Sequence, residues 1–335
     1  MFKWKGIRSV WLLLLILALL LAACNRQPTG GGADAPEADD PAAATQAPAE
    51  QPQEGEQPAA GTGATIAVGS KNFTEEFILG EMYAILLEEA GFTVERKLDL
   101  GATPIAHEAL LNGDIDLYPE YTSTALLTVL KADPMTDRGA IYEKVKNDYE
   151  QQFQLTWLDP APFNNTQALA TTQEVSEEHG IQSFSDLAEA APNLAIGGPP
   201  EFFAREDGLP GLQGAYGGFE FSEERQLDPG LRYEALLNGD IDVVVAFGTD
   251  GQIGGYDLVR LEDDKNFYPP YPVAPVVRMD TLEANPGVAD ALNALAPLLT
   301  DQVMADLNWM VDGPEKMEPD DVARQFLVEQ GLIEG

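Results

Sequence analysis

The chain is poor in the residues that most enzyme chemistry needs. Its 335 residues include one cysteine, Cys24, and two histidines, His107 and His179. A single thiol excludes an intrachain disulfide, and two histidines exclude a histidine-rich metal centre. His107 reads as the solvated side of a helix and His179 as a helix end, so neither is placed for catalysis. No His-Glu-x-x-His, Gly-x-Ser-x-Gly or phosphate-loop run occurs, and no Ser/His/Asp set can be assembled. Positive charge is also scarce: 19 Lys and Arg stand against 56 Asp and Glu, a formal net charge of −37. That balance argues against nucleic acid and against an anionic membrane surface as partners. No cofactor is implied.

The N-terminal apolar run, Val10 to Leu21, follows Lys3, Lys5 and Arg8. It is too short and wrongly flanked for a spanning helix and fits a signal-peptide core. The run ends in Leu21-Ala22-Ala23-Cys24, which resembles the lipobox of bacterial lipoproteins. The resemblance implies a signal segment over 1–23 and lipidation of Cys24, which would anchor the mature protein to the membrane through about 0.8 kcal/mol per buried methylene. Residues 24–63 are Ala, Pro, Gly, Gln and acidic residues with almost no apolar side chains. Such a segment cannot offset its chain entropy by burial, so an extended, disordered tether is expected.

The remainder is long enough for two lobes with their own cores. Its most informative feature is a repeat: Glu-Ala-Leu-Leu-Asn-Gly-Asp-Ile-Asp occurs at Glu108–Asp116 and again at Glu234–Asp242. Each copy ends a helix at Gly and enters a strand that runs into an aromatic, Tyr118 and Tyr121 in the first and Phe247 in the second. The paired acids Asp114/Asp116 and Asp240/Asp242 fall at strand entries, where alternate side chains point to opposite faces, so neither is an acid/base couple. Two equivalent units suggest two lobes delivering aromatics and hydroxyls to a shared cleft, although ordinary helix-to-strand connections would give the same pattern.

The pattern predicts strands at Thr65–Val68, Phe92–Leu98 and Asp114–Tyr118, with a helix N-capped by Asn72 against Glu75 and a second over Pro104–Asn112. Strands follow at Leu194–Gly197, Phe219–Leu227, Ile241–Ala246 and Pro275–Arg278, with a loop over Asp263–Tyr271 and helices over Asn285–Leu299 and Pro319–Glu329. Strand–helix alternation implies a parallel α/β sheet whose ligands bind beyond the strands' C-terminal ends. Lys71 stands there, at the first strand-to-helix turn, as an anion seat or as an ordinary surface lysine.

Gly69-Ser70-Lys71-Asn72-Phe73-Thr74-Glu75, Tyr118-Pro119-Glu120-Tyr121-Thr122-Ser123-Thr124, Asn164-Asn165-Thr166, Ala246-Phe247-Gly248-Thr249-Asp250-Gly251 and Asp263–Arg278 resemble the substrate-binding proteins of osmoprotectant ABC importers. These are the glycine betaine, choline and carnitine receptors of the ProX/OpuC type. The resemblance spans about Thr65 to Leu332. It implies a type II periplasmic-binding-protein fold with two parallel-rich lobes and a two-strand hinge, lobe 1 over 64–165 and 274–335 and lobe 2 over 166–273. It also implies a permease and an ATPase as partners, and no enzymatic activity. By motif match, Tyr121 and Tyr271 correspond to cage tyrosines for a quaternary ammonium and Phe247 to a position commonly Tyr. Lys71, Thr124 and Arg205 correspond to positions that hold the ligand's carboxylate. Gln167 departs from the family, which usually places an aromatic there, and Asn165 is expected to face the same pocket. The departure leaves open a different zwitterion or polar amine as ligand. A surface-tethered hydrolase or an adhesive lipoprotein are the readings from other classes, and neither requires the ring and cation constellation.

Overall fold

The structure is a computed structural model and describes residues 63–335. The expected signal segment, the expected lipidation at Cys24 and the expected tether up to residue 62 lie outside the described residues. Two five-stranded sheets form the frame. In the first, β1 (Thr65–Gly69), β2 (Thr93–Lys97) and β3 (Leu117–Tyr121) run parallel, joined by β4 (Leu155–Trp157) and the late strand β10 (Val273–Arg278) in the order β2-β1-β3-β10-β4. The second holds β5 (Gln167–Thr171), β6 (Ala195–Gly198), β7 (Glu223–Gln226), β8 (Val243–Phe247) and β9 (Val259–Arg260) in the order β7-β6-β8-β5-β9. Each sheet has three parallel strands, and the fourth, β10 or β5, is antiparallel to its neighbours. Both sheets are thus parallel-rich, as expected, with one antiparallel strand inserted in each. In both lobes the antiparallel fourth strand is the one that enters from the other lobe. The chain crosses between Trp157 and Gln167 and returns between Arg260 and Val273. The crossings are bonded to one another, Asn165 N to Tyr271 O at 3.2 Å and Tyr271 N to Asn164 Oδ1 at 2.7 Å. This is the two-crossover, type II arrangement.

The repeats occupy the same place in each lobe. Gly113 and Gly239 take φ of 75° and 74°, the left-handed backbone that ends a helix most easily at glycine. Leu110, Leu236, Ile115 and Ile241 are buried. Asp116 Oδ2 accepts from Ala67 N and Asp242 Oδ2 from Ala195 N, both at 2.7 Å, so each aspartate pins the adjacent parallel strand in register. A Cβ on Gly69 would lie 2.6 Å from Ile115 Cδ1, and one on Gly197 2.6 Å from Ile241 Cδ1. Glycine is what lets the repeat isoleucine pack flat on the sheet.

Three expectations are corrected. Strand β3 begins three residues later than predicted, which carries Glu120 and Tyr121 to its C-terminal end. The helix Thr74–Glu89 is capped by the extended backbone of Phe73 and not by the Asn72 side chain; it is buried almost all round. His107 is buried, its ring 5.5 Å from Tyr149 and 5.1 Å from Phe153, because its helix is covered by Arg138–Phe153. Burial holds its pKa below the usual range. Among the described residues no helix is long and apolar enough to cross a membrane.

Candidate functional site

Strands β1, β3, β6 and β8 all end toward the space between the lobes, and a cavity of about 280 Å³ lies there. That is near the small end of ligand pockets, suited to a compact solute. Lys71, Tyr121, Thr124, Asn165, Gln167, Arg205, Phe247 and Tyr271 all line it, so the eight side chains expected to hold the ligand lie around one cavity, while Tyr118 is buried in the core of the first lobe.

Phe73 was missed. Its extended backbone at the head of the first helix turns its ring into the cavity wall, between the two lobes. Its centroid is 6.3 Å from Tyr121 and 6.3 Å from Phe247, with interplanar angles of 25° and 14°. The outcome is a row of three nearly parallel rings, Tyr121 and Phe247 coming from equivalent strand ends and Phe73 between them. The signal in the sequence is the aromatic two residues after Lys71 at the first strand-to-helix turn.

The cations are not free. Lys71 Nζ sits 2.6 Å from Glu120 Oε1, 3.4 Å from Glu76 Oε1, and 4.5 Å from the Tyr121 ring centroid. Burial works to lower its pKa, but Glu120 and Glu76 outweigh that and hold it above the usual lysine value. Burial pushes Glu76 up to about 8 against the attraction of Lys71. Arg205 turns its fork to Asp207, with Nε 2.7 Å from Oδ1 and Nη2 bonded to Oδ2. Asp207 also accepts from the Tyr271 hydroxyl at 2.9 Å and from Gln167 Nε2, at 2.8 Å through its backbone oxygen and 3.3 Å through Oδ2. The Tyr271 hydroxyl is thus a member of a polar wall with Gln167, Arg205 and Asp207.

Beneath the rings lies Glu75. It accepts from Tyr121 Oη at 2.6 Å, Asn165 Nδ2 at 2.6 Å, Thr249 Oγ1 at 2.5 Å and Asn308 Nδ2 at 3.0 Å. Thr249, two residues beyond the end of β8, is spent on this carboxylate. On the lobe 2 side the Arg232 guanidinium stands 5.4 Å from the Phe247 ring centroid and bonds Asp250 Oδ2 at 2.7 Å.

Residues 64–329 match the family described as the substrate binding domain of ABC-type glycine betaine transport systems. The glycine-betaine-binding protein of Pseudomonas aeruginosa is 38% identical over 280 residues, covering 81% of this chain and 89% of that one. The ergothioneine transport permease/ergothioneine binding protein EgtU of Helicobacter pylori is 38% identical over 268 residues, covering 80% of this chain but 48% of its own length, so the chain spans about half of that relative. A crystal structure of a glycine betaine/carnitine/choline ABC transporter superposes with TM-score 0.65 at 31% identity, covering 80% of this chain and 99% of that one.

Proposed function

Since this chain belongs to the family of substrate-binding domains of ABC-type glycine betaine transport systems, we propose that it captures a trimethylammonium carboxylate in the cleft between its lobes. The observation that carries this is the ring row Tyr121–Phe73–Phe247 with a cation already resting on Tyr121. A trimethylammonium group donates no classical hydrogen bond, so ring faces are what select it, each contributing about 0.5–2 kcal/mol depending on desolvation. The ligand's ammonium takes the ring faces. Its carboxylate joins Lys71, Thr124 and Arg205, competing there with Glu120 and Asp207. A zwitterion brings no net charge into this balanced wall, which a simple cation or anion would upset.

Closure of lobe 2 onto lobe 1 about the Asn164–Gln167 and Pro269–Tyr271 crossings expels water and strengthens each charge contact. The receptor then hands its ligand to a permease driven by an ATPase, and it acts outside the cytoplasm, held by lipid on Cys24 at the end of the 24–63 tether.

The polar wall favours a second reading: a betaine with a further hydrogen-bonding group beside its carboxylate, which Gln167 and Tyr271 would read. Ergothioneine, itself a trimethylammonium carboxylate, has that form. Calorimetric titration of Ala64–Gly335 with glycine betaine, choline, carnitine, proline betaine and ergothioneine tests both. Micromolar or tighter binding of a simple betaine supports the first reading, selective binding of ergothioneine the second. Binding of none removes both.

A further inference from the structure

Lobe 1 places three buried carboxylates behind its side of the cavity, Glu75, Glu76 and Glu120, and they are not equally held. Glu75 accepts from four donors. Glu120 accepts three hydrogen bonds, from Lys71 Nζ at 2.6 Å, Tyr121 N at 2.7 Å and Tyr118 Oη at 3.0 Å. Glu76 accepts one, from the Lys71 backbone N to Oε2 at 3.0 Å. Its other oxygen, Oε1, has no hydrogen-bond partner, and Lys71 Nζ lies 3.4 Å from it.

Charge counting singles out the same residue. Lys71 pairs with Glu120 and Arg205 with Asp207, which leaves Glu76 as the carboxylate without a cation of its own. One ammonium thus serves two buried acids before any ligand arrives, and a betaine's carboxylate seated at Lys71 is a third. Like charges crowded together away from water cannot all remain ionised. Each donor to a carboxylate favours its charged form, so the group with the fewest donors takes the proton.

The other groups around Glu76 do not compete for that proton. On its own helix, Glu75 has its four donors and Tyr83 is a buried phenol. From β3, Tyr118 and Tyr121 donate to Glu120 and Glu75, and burial pushes all three phenols above their usual range, so they stay neutral. Arg205 acts on Lys71 from lobe 2 and keeps Asp207 as its partner.

We propose that the solute binds together with a proton, which passes from solvent to Glu76 Oε1 as the ligand's carboxylate reaches Lys71 and returns to solvent on release. The proposal rests on the carboxylate seat assigned above. The new O–H bond cancels the unmatched charge, so Lys71 shares its ammonium between Glu120 and the ligand alone. A site that gains a proton on loading loses affinity as pH rises. In the free receptor Glu76 titrates at about 8. Well below that value the proton is already in place and affinity is flat; above it, loading must bring the proton in.

Glycine betaine, carnitine and ergothioneine are titrated calorimetrically into the full chain, in buffers of small and large ionisation enthalpy, from about pH 6 to about pH 9. The dependence of the heat on the buffer counts the protons exchanged per ligand, and none of the three ligands titrates in this range. The expected result is no uptake at about pH 6 and about half a proton or more per ligand at about pH 8.5, with affinity there falling by up to about tenfold per pH unit. Glu76→Gln should abolish the uptake and make affinity independent of pH; the proton count of the wild-type chain stands whether or not that variant folds. Binding without buffer dependence at any pH overturns the proposal and leaves the ligand reading in place. Uptake that persists in Glu76→Gln overturns it as well, by assigning the proton to another group. If none of the three gives a binding heat, the ligand reading falls and the proposal falls with it.

Discussion

The Tyr121 hydroxyl donates to Glu75 at 2.6 Å, and this bond joins the ring row to the hinge. The same carboxylate holds Asn165 of the outgoing crossing, Thr249 of lobe 2 and Asn308 of the helix Asp301–Asp312. Glu75 is therefore a knot among both lobes and a crossing, and its partners are four neutral donors with no cation among them. Burial pushes its pKa up and the four donors pull it back.

Glu75→Gln should cost stability out of proportion to its size. A glutamine amide has one acceptor oxygen where the carboxylate has two, so its NH2 must face two of the four donors. Each donor left unsatisfied in a buried site costs about 1–3 kcal/mol. The melting temperature should fall by about 2–4 °C per kcal/mol lost, and calorimetric melting would show it. An unchanged melting temperature would mean that the four bonds are not holding the lobes.

Glu76 predicts a pH dependence of stability. Its folded pKa, about 8, lies above the ordinary glutamate value of 4.5, so the folded state holds a proton that the unfolded state has released. This contribution is fully present below the unfolded pKa and is lost as pH rises through about 8. The slope in that window is at most about 1.4 kcal/mol per pH unit. Glu76→Gln should flatten urea stability between those limits. A slope unchanged in the variant would assign the titration to another group.

Much of the cleft could be read from the chain because its walls are local motifs: a strand end, a turn and the first residue of a helix. What the sequence did not reveal is mostly tertiary. Lys71 meets Glu120 across 49 residues, and no periodicity reports that a cation at a turn is already paired. The predicted strand ends at Tyr118, short of Pro119, a residue that lacks a donor and normally argues against a central strand. In the sheet Pro119 stands opposite Pro275, so two residues without N–H groups share one rung. Asn72 resembled a cap, but Phe73 took the extended backbone needed to place its ring in the cleft. His107 looked solvated only because Arg138–Phe153, which covers it, lies far along the chain.

The ring row makes Phe73 a test of the cage. Phe73→Ala removes the central ring and should weaken a quaternary ammonium by roughly 2- to 30-fold, corresponding to about 0.5–2 kcal/mol. Tyr121→Ala should lose at least as much. Tyr121→Phe keeps the ring but breaks the bond to Glu75, so its loss should appear in melting more than in affinity. Titration of the three variants separates ring face from hydroxyl. Equal affinity losses in Tyr121→Phe and Tyr121→Ala would show that the hydroxyl, and not the face, carries binding.

Gln167 decides between the two ligand readings. It stands in the cavity wall at the first position of β5, opposite Phe247 in the sheet register, and its amide donates to Asp207 and to the Tyr271 hydroxyl at 3.2 Å. Gln167→Tyr supplies another ring face beside Phe247 while removing that amide from the polar wall. For a simple betaine the added face should raise affinity by about 2- to 30-fold, again the value of one cation–π contact. For a ligand whose extra polar group is read by Gln167, the same change should lower affinity, because it removes the partner and fills the space. Opposite signs for glycine betaine and ergothioneine would establish Gln167 as the residue that sets specificity. A fall for both would mean that the polar wall, through its hold on Asp207 and hence on Arg205, is needed for every ligand.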